Sequence, residues 1–286
     1  MRTVNIVGYD EWYTEKPWCR GEIGEKEFKV TFNKSKSDIT YFIKDGIYQT
    51  NLSSQSNISI ALLTECRMMD PNRYNFLENN HHLFDYIVTY DDRLLKLFPN
   101  KTIITPYSST WIWPTPQQKA HPKSKICSYI TSNKQYSDVQ RMRVNLLNYF
   151  YDNKEYNIEL YGRGHNPLPE NHENGDYDCK ILGLKDFAFS IIIENHVQKN
   201  YFSEKLMDCL LTGTVPIYYG CSEISKYFNL DGLILFNSEQ ELKKIIKNLT
   251  MDDYNNRIKA INENLELAKQ YRDTVTYSFN KLKKLI

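Results

Sequence analysis

The sequence predicts an α/β protein made of two domains, each a set of short buried strands alternating with helices. Three observations carry that prediction. Apolar runs alternate with helix-patterned stretches in both halves of the chain. A polar stretch with four prolines, "PYSSTWIWPTPQQKAHPKSK" (106–125), separates the halves. Residues 187–219 read as one strand–helix–strand unit. The expected division is 1–118 and 119–286, with the domains facing a central cleft and the last helices free to pack back on the first domain.

In the first half, "TVNIVGY" and "ITYFI" have the continuous apolar character of buried strands, and "ISIALLTE" is a third that stops at Glu65. "DPNRYNFLENNHHLF" places Asp70 as a cap before Pro71, so a helix starts there. "YIVTY" is the next strand and "DDRLLKLF" the helix after it. Prolines 106, 114, 116 and 122 mark a linker.

The second half opens with the strand "ICSYITS". The helix "DVQRMRVNLLNYFYD" follows, with Met142, Leu146, Tyr149 and Phe150 on one face. "NIELYG" is a strand, and "RGHNPLPENHENGDYDCK" reads as an irregular polar loop. Strand 187–193, helix 203–212 and strand 215–219 come next, with Gly213 where a helix C-terminal glycine belongs. The tail beyond 238 is mostly helical in pattern.

With 41% hydrophobic and 25% charged residues the chain has the composition of a globular protein. Its net charge of +1 gives no basic footprint for nucleic acid. The opening "MRTVNIVGYDEWYTEKPWC" lacks the apolar core of a signal peptide, and no apolar run approaches the roughly 20 residues of a spanning helix. Six cysteines lie scattered with no C-x-x-C pair or Cys/His ligand spacing, so the expected location is cytoplasmic with reduced thiols. No metal is expected: "DYD" at 176–178 is a D-x-D only in outline, and His81 and His82 are adjacent rather than on one helix face. The surplus of tyrosine, 22 in all, reflects base composition more than nucleotide stacking.

Chemistry concentrates in "FAFSIIIENHVQKNYFSEKLMDCLLTGTVPIYYG". Ligands of open α/β sheets bind beyond the carboxyl ends of strands, at helix N-termini. The helix starting near Ser203 is such an end. Lys205 in its first turn opposes the helix dipole, which an anionic ligand would explain, and Glu204 suits a sugar hydroxyl. An ordinary dipole-complementing glutamate and a solvated lysine explain the same two residues without any ligand.

This stretch resembles the signature of glycosyltransferase family 10, the α-1,3/1,4-fucosyltransferases. The matching residues are Phe187, Phe189, Glu194, Asn195, Tyr201, Ser203, Glu204, Lys205, Gly213, Val215, Pro216 and Gly220. "ISIALLTECRMMDP…LFDYIVTYDD" is similar to the family's N-terminal segment, which maps its general base onto Glu65. "SYITSNKQYSDVQRMRVNLLNYF" is similar to the start of the donor domain, where an arginine meets the diphosphate. Either Arg141 or Arg143 fills that place, and Arg143 fits better because Leu146, Leu147 and Phe150 follow it in the family's spacing. Ser203 stands where threonine is commoner, and the heptad tail of some bacterial members is absent.

The resemblance implies a GT-B-type fold of two Rossmann-like domains. It implies an inverting transfer of L-fucose from GDP-fucose to a hydroxyl of an N-acetylglucosamine-containing glycan, in an α-1,3-type linkage and with no cofactor. Glu65 would be the base; Arg143, Asn195, Tyr201, Glu204 and Lys205 would bind the donor. Trp111 and Trp113 are a candidate sugar platform, and the lysines at 281, 283 and 284 a candidate peripheral membrane contact. Three rivals remain: a transferase of the same fold using another nucleotide sugar, a catalytically silent nucleotide-sugar binding module, and, ranked last because it would not explain the charged seam, a structural or scaffolding protein.

Overall fold

The computed structural model describes residues 2–8, 28–33, 37–49, 51, 56–107, 109–112, 115–163 and 177–285. The chain divides into two compact units. One comprises Met1–Ser108, Lys199–Tyr201 and Arg272–Ile286; the other comprises Ser109–Gln198 and Phe202–Tyr271.

The first unit is built on six parallel strands: β1 (Arg2–Val7), β2 (Phe28–Phe32), β3 (Ser37–Ile43), β4 (Ser56–Leu62), β5 (Tyr86–Thr89) and β6 (Thr102–Ile104). They lie in the order β2-β1-β3-β4-β5-β6. A parallel sheet needs cover on both faces, and the alternation of side chains supplies it. Tyr41, Ile43, Ile60, Leu62 and Val88 point one way, into a cluster with Val275, Phe279 and Leu282 of the C-terminal helix Thr274–Leu282. Phe42, Ala61 and Ile87 point the other way, against Tyr74 and Leu77 of α1 (Pro71–Asn80) and Leu94 of α2 (Asp92–Leu97). Asp70 takes the N-cap position of α1, but its side chain does not cap; its carboxylate pairs with Arg73 instead. Asp91 does cap α2, accepting the Leu94 N–H at 2.8 Å.

The second unit has five parallel strands: β7 (Lys125–Ser132), β8 (Ile158–Arg163), β9 (Phe187–Ile193), β10 (Val215–Tyr219) and β11 (Ile234–Leu235). Their order is β11-β10-β9-β7-β8. Every residue of β9, "FAFSIII", is buried, as befits a strand covered on both sides. The helix α3 (Asp138–Asp152) follows β7, and its apolar face joins Leu146, Leu147 and Phe150 to the main cluster with Cys127, Tyr129, Phe189 and Ile217. The short helix α4 (Tyr177–Leu182) precedes β9, and α5 (Glu204–Leu211) joins β9 to β10. Gly213, just past α5, has φ +67°, the left-handed conformation of a helix C-terminus. An added Cβ there would also stand 2.7 Å from the Ala120 backbone.

Several elements depart from the sequence-based expectation. The edge strands β2, β6 and β11 are absent from the sequence-based reading, β6 and β11 being only three and two residues long, and α4 begins inside the stretch expected to be irregular. The proline-rich stretch is more than a linker: Thr110 and Ile112 are buried, and the Thr110 hydroxyl and the Trp111 N–H both donate to Asp208 Oδ1, at 2.8 and 2.7 Å. A buried carboxylate that needs donors explains why this polar segment is held down. The side chains of the 176–178 D-x-D, together with Trp113, lie outside the described residues. Cys66, Cys127, Cys209 and Cys221 are buried. Among the described residues no helix is long and apolar enough to cross a membrane.

Candidate functional site

The strand order of the second sheet reverses between β7 and β9. Connections leaving two such neighbours run to opposite faces and open a crevice at the carboxyl ends of the strands. Four of the six sequence-predicted residues belong to this place. Arg143 comes from α3, Asn195 from the turn after β9, and Glu204 and Lys205 from the first turn of α5.

Ser137 sets up the β7 side. As N-cap of α3 it accepts the Gln140 N–H at 3.0 Å, and its hydroxyl donates to the Asn195 carbonyl at 3.2 Å. One and a half turns into α3, Arg143 is 3% exposed. Its Nη1 donates to Asn195 Oδ1 at 3.0 Å and to the Ile193 carbonyl at 3.4 Å. Its Nε has no hydrogen-bond partner among the described residues. The partners of this guanidinium among the described residues are neutral oxygens rather than a carboxylate, an arrangement that suits an anionic ligand, since buried charge needs compensation. Arg141 is different: its side chain is half-exposed and tied to Asp138 and the Gln135 carbonyl. Of the two candidates, only Arg143 reaches the carboxyl end of β9, through the Ile193 carbonyl and the Asn195 side chain.

The β9 side is organised by Glu194, a residue the sequence reading placed in the motif without a role. It is fully buried. Oε1 accepts the Ser203 N–H at 2.8 Å and Oε2 the Ser203 hydroxyl at 2.6 Å. That clamp fixes the N-terminus of α5, because Ser203 is itself the N-cap residue. Burial pushes the Glu194 carboxyl up, against the pull of Lys205. Gly220 makes the clamp possible: a Cβ there would lie 2.5 Å from Glu194 Cγ and 2.5 Å from Tyr218 Oη.

Lys205 Nζ lies 3.1 Å from Glu204 Oε1, 3.1 Å from Ser203 Oγ and 3.9 Å from Glu194 Oε2. Burial works to raise Glu204, but Lys205 and then Lys180 outweigh it and hold the carboxyl down at about 2. Lys180 of α4 reaches Asp208 at 2.8 Å and Glu204 at 3.9 Å. Nothing local in the sequence signals Lys180, which meets Asp208 across 28 residues.

Glu65 and Tyr201 belong to the first unit. Glu65 lies three residues past the end of β4, half-buried, and its carbonyl accepts the Tyr74 hydroxyl at 2.8 Å. Tyr201 is buried in a cluster with Cys66 and Tyr90, its ring 5.0 Å from that of Tyr90. Its ring therefore packs next to the Glu65 turn, while the other four residues stand in the second unit.

Comparison with known proteins fits this geometry. Residues 120–260 match the family model "Glycosyltransferase family 10 (fucosyltransferase) C-term". That segment belongs to glycosyltransferase family 10. It contains α3, β9, α5 and β10, so Arg143, Asn195, Glu204 and Lys205, the predicted residues in the second unit, all fall within the family 10 match. Over 237 residues the chain is 25% identical to the 4-galactosyl-N-acetylglucosaminide 3-alpha-L-fucosyltransferase 9 of Rattus norvegicus, covering 79% of this chain and 59% of that protein. The chain spans about half the length of the curated relatives it matches. Among solved structures, an alpha1,3-fucosyltransferase with GDP-fucose is similar at a TM-score of 0.56 and 13% identity, over 95% of this chain and 90% of that one. Anabaena Alr3699/HepE in complex with UDP-glucose is similar at 0.61 and 9% identity, over 100% and 99%. At such identities the likeness is one of fold, and the fold is GT-B-type, with two parallel-sheet α/β units.

Proposed function

We propose that the protein is an inverting glycosyltransferase that moves L-fucose from GDP-fucose to a hydroxyl of a glycan acceptor. The acceptor class that suits the family is an N-acetylglucosamine-containing glycan, joined in an α-1,3-type linkage. One observation supports this most: a buried arginine, Arg143, with an unpartnered Nε and no described acid beside it, stands at the switch point of a family 10 segment.

Arg143 and Lys205, with the N-terminus of α5, would bind the diphosphate and stabilise the charge that grows on it as the glycosidic bond breaks. Asn195 holds Arg143 in place. Glu204 is ionised throughout the physiological range and accepts hydrogen bonds from ribose or sugar hydroxyls. Glu65 takes the proton of the attacking hydroxyl, and the sugar carbon exchanges its bond to the diphosphate oxygen for one to the acceptor oxygen. Tyr201, packed beside Cys66, supports the turn that carries Glu65.

The test is GDP release from GDP-fucose, with and without N-acetyllactosamine, by the wild-type protein and its Glu65→Gln variant. Acceptor-dependent release that Glu65→Gln abolishes, with GDP-fucose binding kept, supports the transferase and its base. Release with a different nucleotide sugar only overturns the donor. Binding of GDP-fucose with no turnover on any glycan favours a silent binding module.

A further inference from the structure

We infer that Lys180 is a positioning residue of the donor site, the cation that stays with the Glu204 carboxylate when Lys205 turns to a nucleotide diphosphate. The inference rests on the donor reading above and deepens it.

Five charged side chains run in alternating order through this part of the second unit. Asp208 meets Lys180 at 2.8 Å, Lys180 meets Glu204 at 3.9 Å, Glu204 meets Lys205 at 3.1 Å, and Lys205 meets Glu194 at 3.9 Å. Lys205 is the cation nearest a diphosphate at the α5 N-terminus, yet its ammonium is shared between two carboxylates. Drawing it outward would strand both unless each has another partner. Glu194 has one, in the N–H and hydroxyl of Ser203. Glu204 has Lys180.

Lys180 cannot follow Lys205. Asp208 Oδ2 holds it, while Oδ1 of the same carboxylate is pinned by Thr110 and Trp111. The Trp111 ring lies 5.9 Å from Lys180 Nζ. Asp208 is fully buried, which makes this anchor costly to release. The charged groups that face Glu204 are Lys180 from α4, Lys205 and Asp208 from its own helix, and Glu194 from the end of β9.

A purely structural Lys180 would tie α4 to α5 and do nothing else. The positioning role predicts a proton linkage that such a tie does not. Without Lys180, Glu204 must take up a proton when Lys205 leaves it, so GDP binding becomes coupled to protonation of Glu204.

The experiment is calorimetric titration of GDP, with UDP beside it, into wild type and variants from pH 5 to pH 8. At pH 7, Lys180→Met is expected to weaken GDP binding by about tenfold, the size of one lost charge-assisted contact. That deficit is expected to shrink as the pH falls toward 5, and to disappear in the Lys180→Met/Glu204→Gln double variant relative to Glu204→Gln alone. Lys180→Arg restores binding. Since Lys180→Met leaves Asp208 stranded, Lys180→Met/Asp208→Asn is the second arm: a structural tie predicts full recovery, and the positioning role predicts the same pH-linked deficit. GDP affinity within twofold of wild type in that pair at every pH overturns the inference. Failure of the wild-type protein to bind either nucleotide overturns the donor reading instead, and the two failures are distinct.

Discussion

Arg143 Nη1 donates to Asn195 Oδ1 at 3.0 Å, joining α3 to the turn after β9 across 52 residues of sequence. The pair locks together the two connections that diverge at the switch point of the second sheet. It also separates two arginines that share one helix. Arg143 is buried and lacks an acid among the described residues, whereas Arg141 has Asp138 and solvent.

The first prediction follows from that difference. Arg143→Lys keeps a charge but loses the planar fork that suits a diphosphate, and Arg143→Met loses both. Removing a charged hydrogen-bond donor costs about 1.5–3 kcal/mol, so GDP affinity should fall roughly tenfold to a hundredfold in Arg143→Met and less in Arg143→Lys. Arg141→Met should stay within about twofold of wild type, as surface substitutions do. Equilibrium titration of GDP checks the pair, and equal losses at both positions would remove Arg143 from the site.

Gly220 gives the second. An alanine Cβ would press on Glu194 Cγ and Tyr218 Oη, each 2.5 Å away, and neither can yield inside a buried clamp. Overpacking of this kind costs about 1–3 kcal/mol. Gly220→Ala should lower the unfolding free energy by that amount. It should also weaken GDP binding, because Glu194 positions Ser203 and, through it, the start of α5. Denaturant unfolding and GDP titration on the same sample measure both; a stable variant with normal binding would show that Glu194 does not set the geometry of the site.

The same residues show what could be read in advance. The 187–219 unit was legible because each boundary has a local cause: a fully apolar strand, a serine N-cap and a glycine at φ +67°. The helix α3 was legible from its apolar spacing, and the structure adds Ser137 as its N-cap. Glu194, Glu204 and Lys205 stood out as charges in an apolar seam. Lys180 did not, because α4 is a single short stretch in polar sequence and its meaning comes from Asp208, 28 residues later. The role of Asp208 in holding Thr110 and Trp111 was hidden for the same reason, spanning 98 and 97 residues. Nor could pattern alone show that Tyr201 packs with Cys66 and Tyr90 in the first unit, one residue before the chain rejoins the second.

A third prediction concerns the C-terminal helix. Ser278 Oγ donates to Tyr41 Oη at 3.0 Å, in the middle of the face that Val275, Phe279 and Leu282 cover. Phe279→Ala removes a buried ring and should cost about 3–5 kcal/mol, enough to unfold the first unit or bring it close. Ser278→Ala leaves the Tyr41 hydroxyl without that partner in a buried place, a loss of about 1–3 kcal/mol. Thermal unfolding with a tryptophan-independent probe such as far-UV dichroism checks the order. If Phe279→Ala were as stable as wild type, the C-terminal helix would not be part of the first unit's core.

The last prediction is a pH dependence with a sign. Lys123 Nζ donates to the carbonyls of Lys185 and Thr212, at 3.1 and 3.0 Å, and to Thr214 Oγ1 at 2.9 Å, with no acid in hydrogen-bonding reach among the described residues. It stitches the C-terminus of α5 to the turn before β9, a favourable place for a cation. Burial nevertheless dominates and lowers its pKa from 10.5 to about 8, against the pull of Cys209 and Asp186. Between those values the unfolded chain holds a proton that the folded chain has released, so stability must rise with pH. The contribution is fully present above 10.5 and is lost as the pH falls through 8. Allowing for partial exposure of the side chain, the swing is on the order of 2 kcal/mol. Buried tyrosines such as Tyr129, pushed up by burial, act in the opposite sense at higher pH, so the informative window is pH 8 to 10. Lys123→Met removes the titrating group but leaves the three oxygens short of a donor. It should therefore be less stable than wild type overall, and the gap should widen as the pH is raised through that window. Urea unfolding of both proteins at pH 8, 9 and 10 measures the gap; a constant difference would mean that Lys123 remains charged in the folded protein.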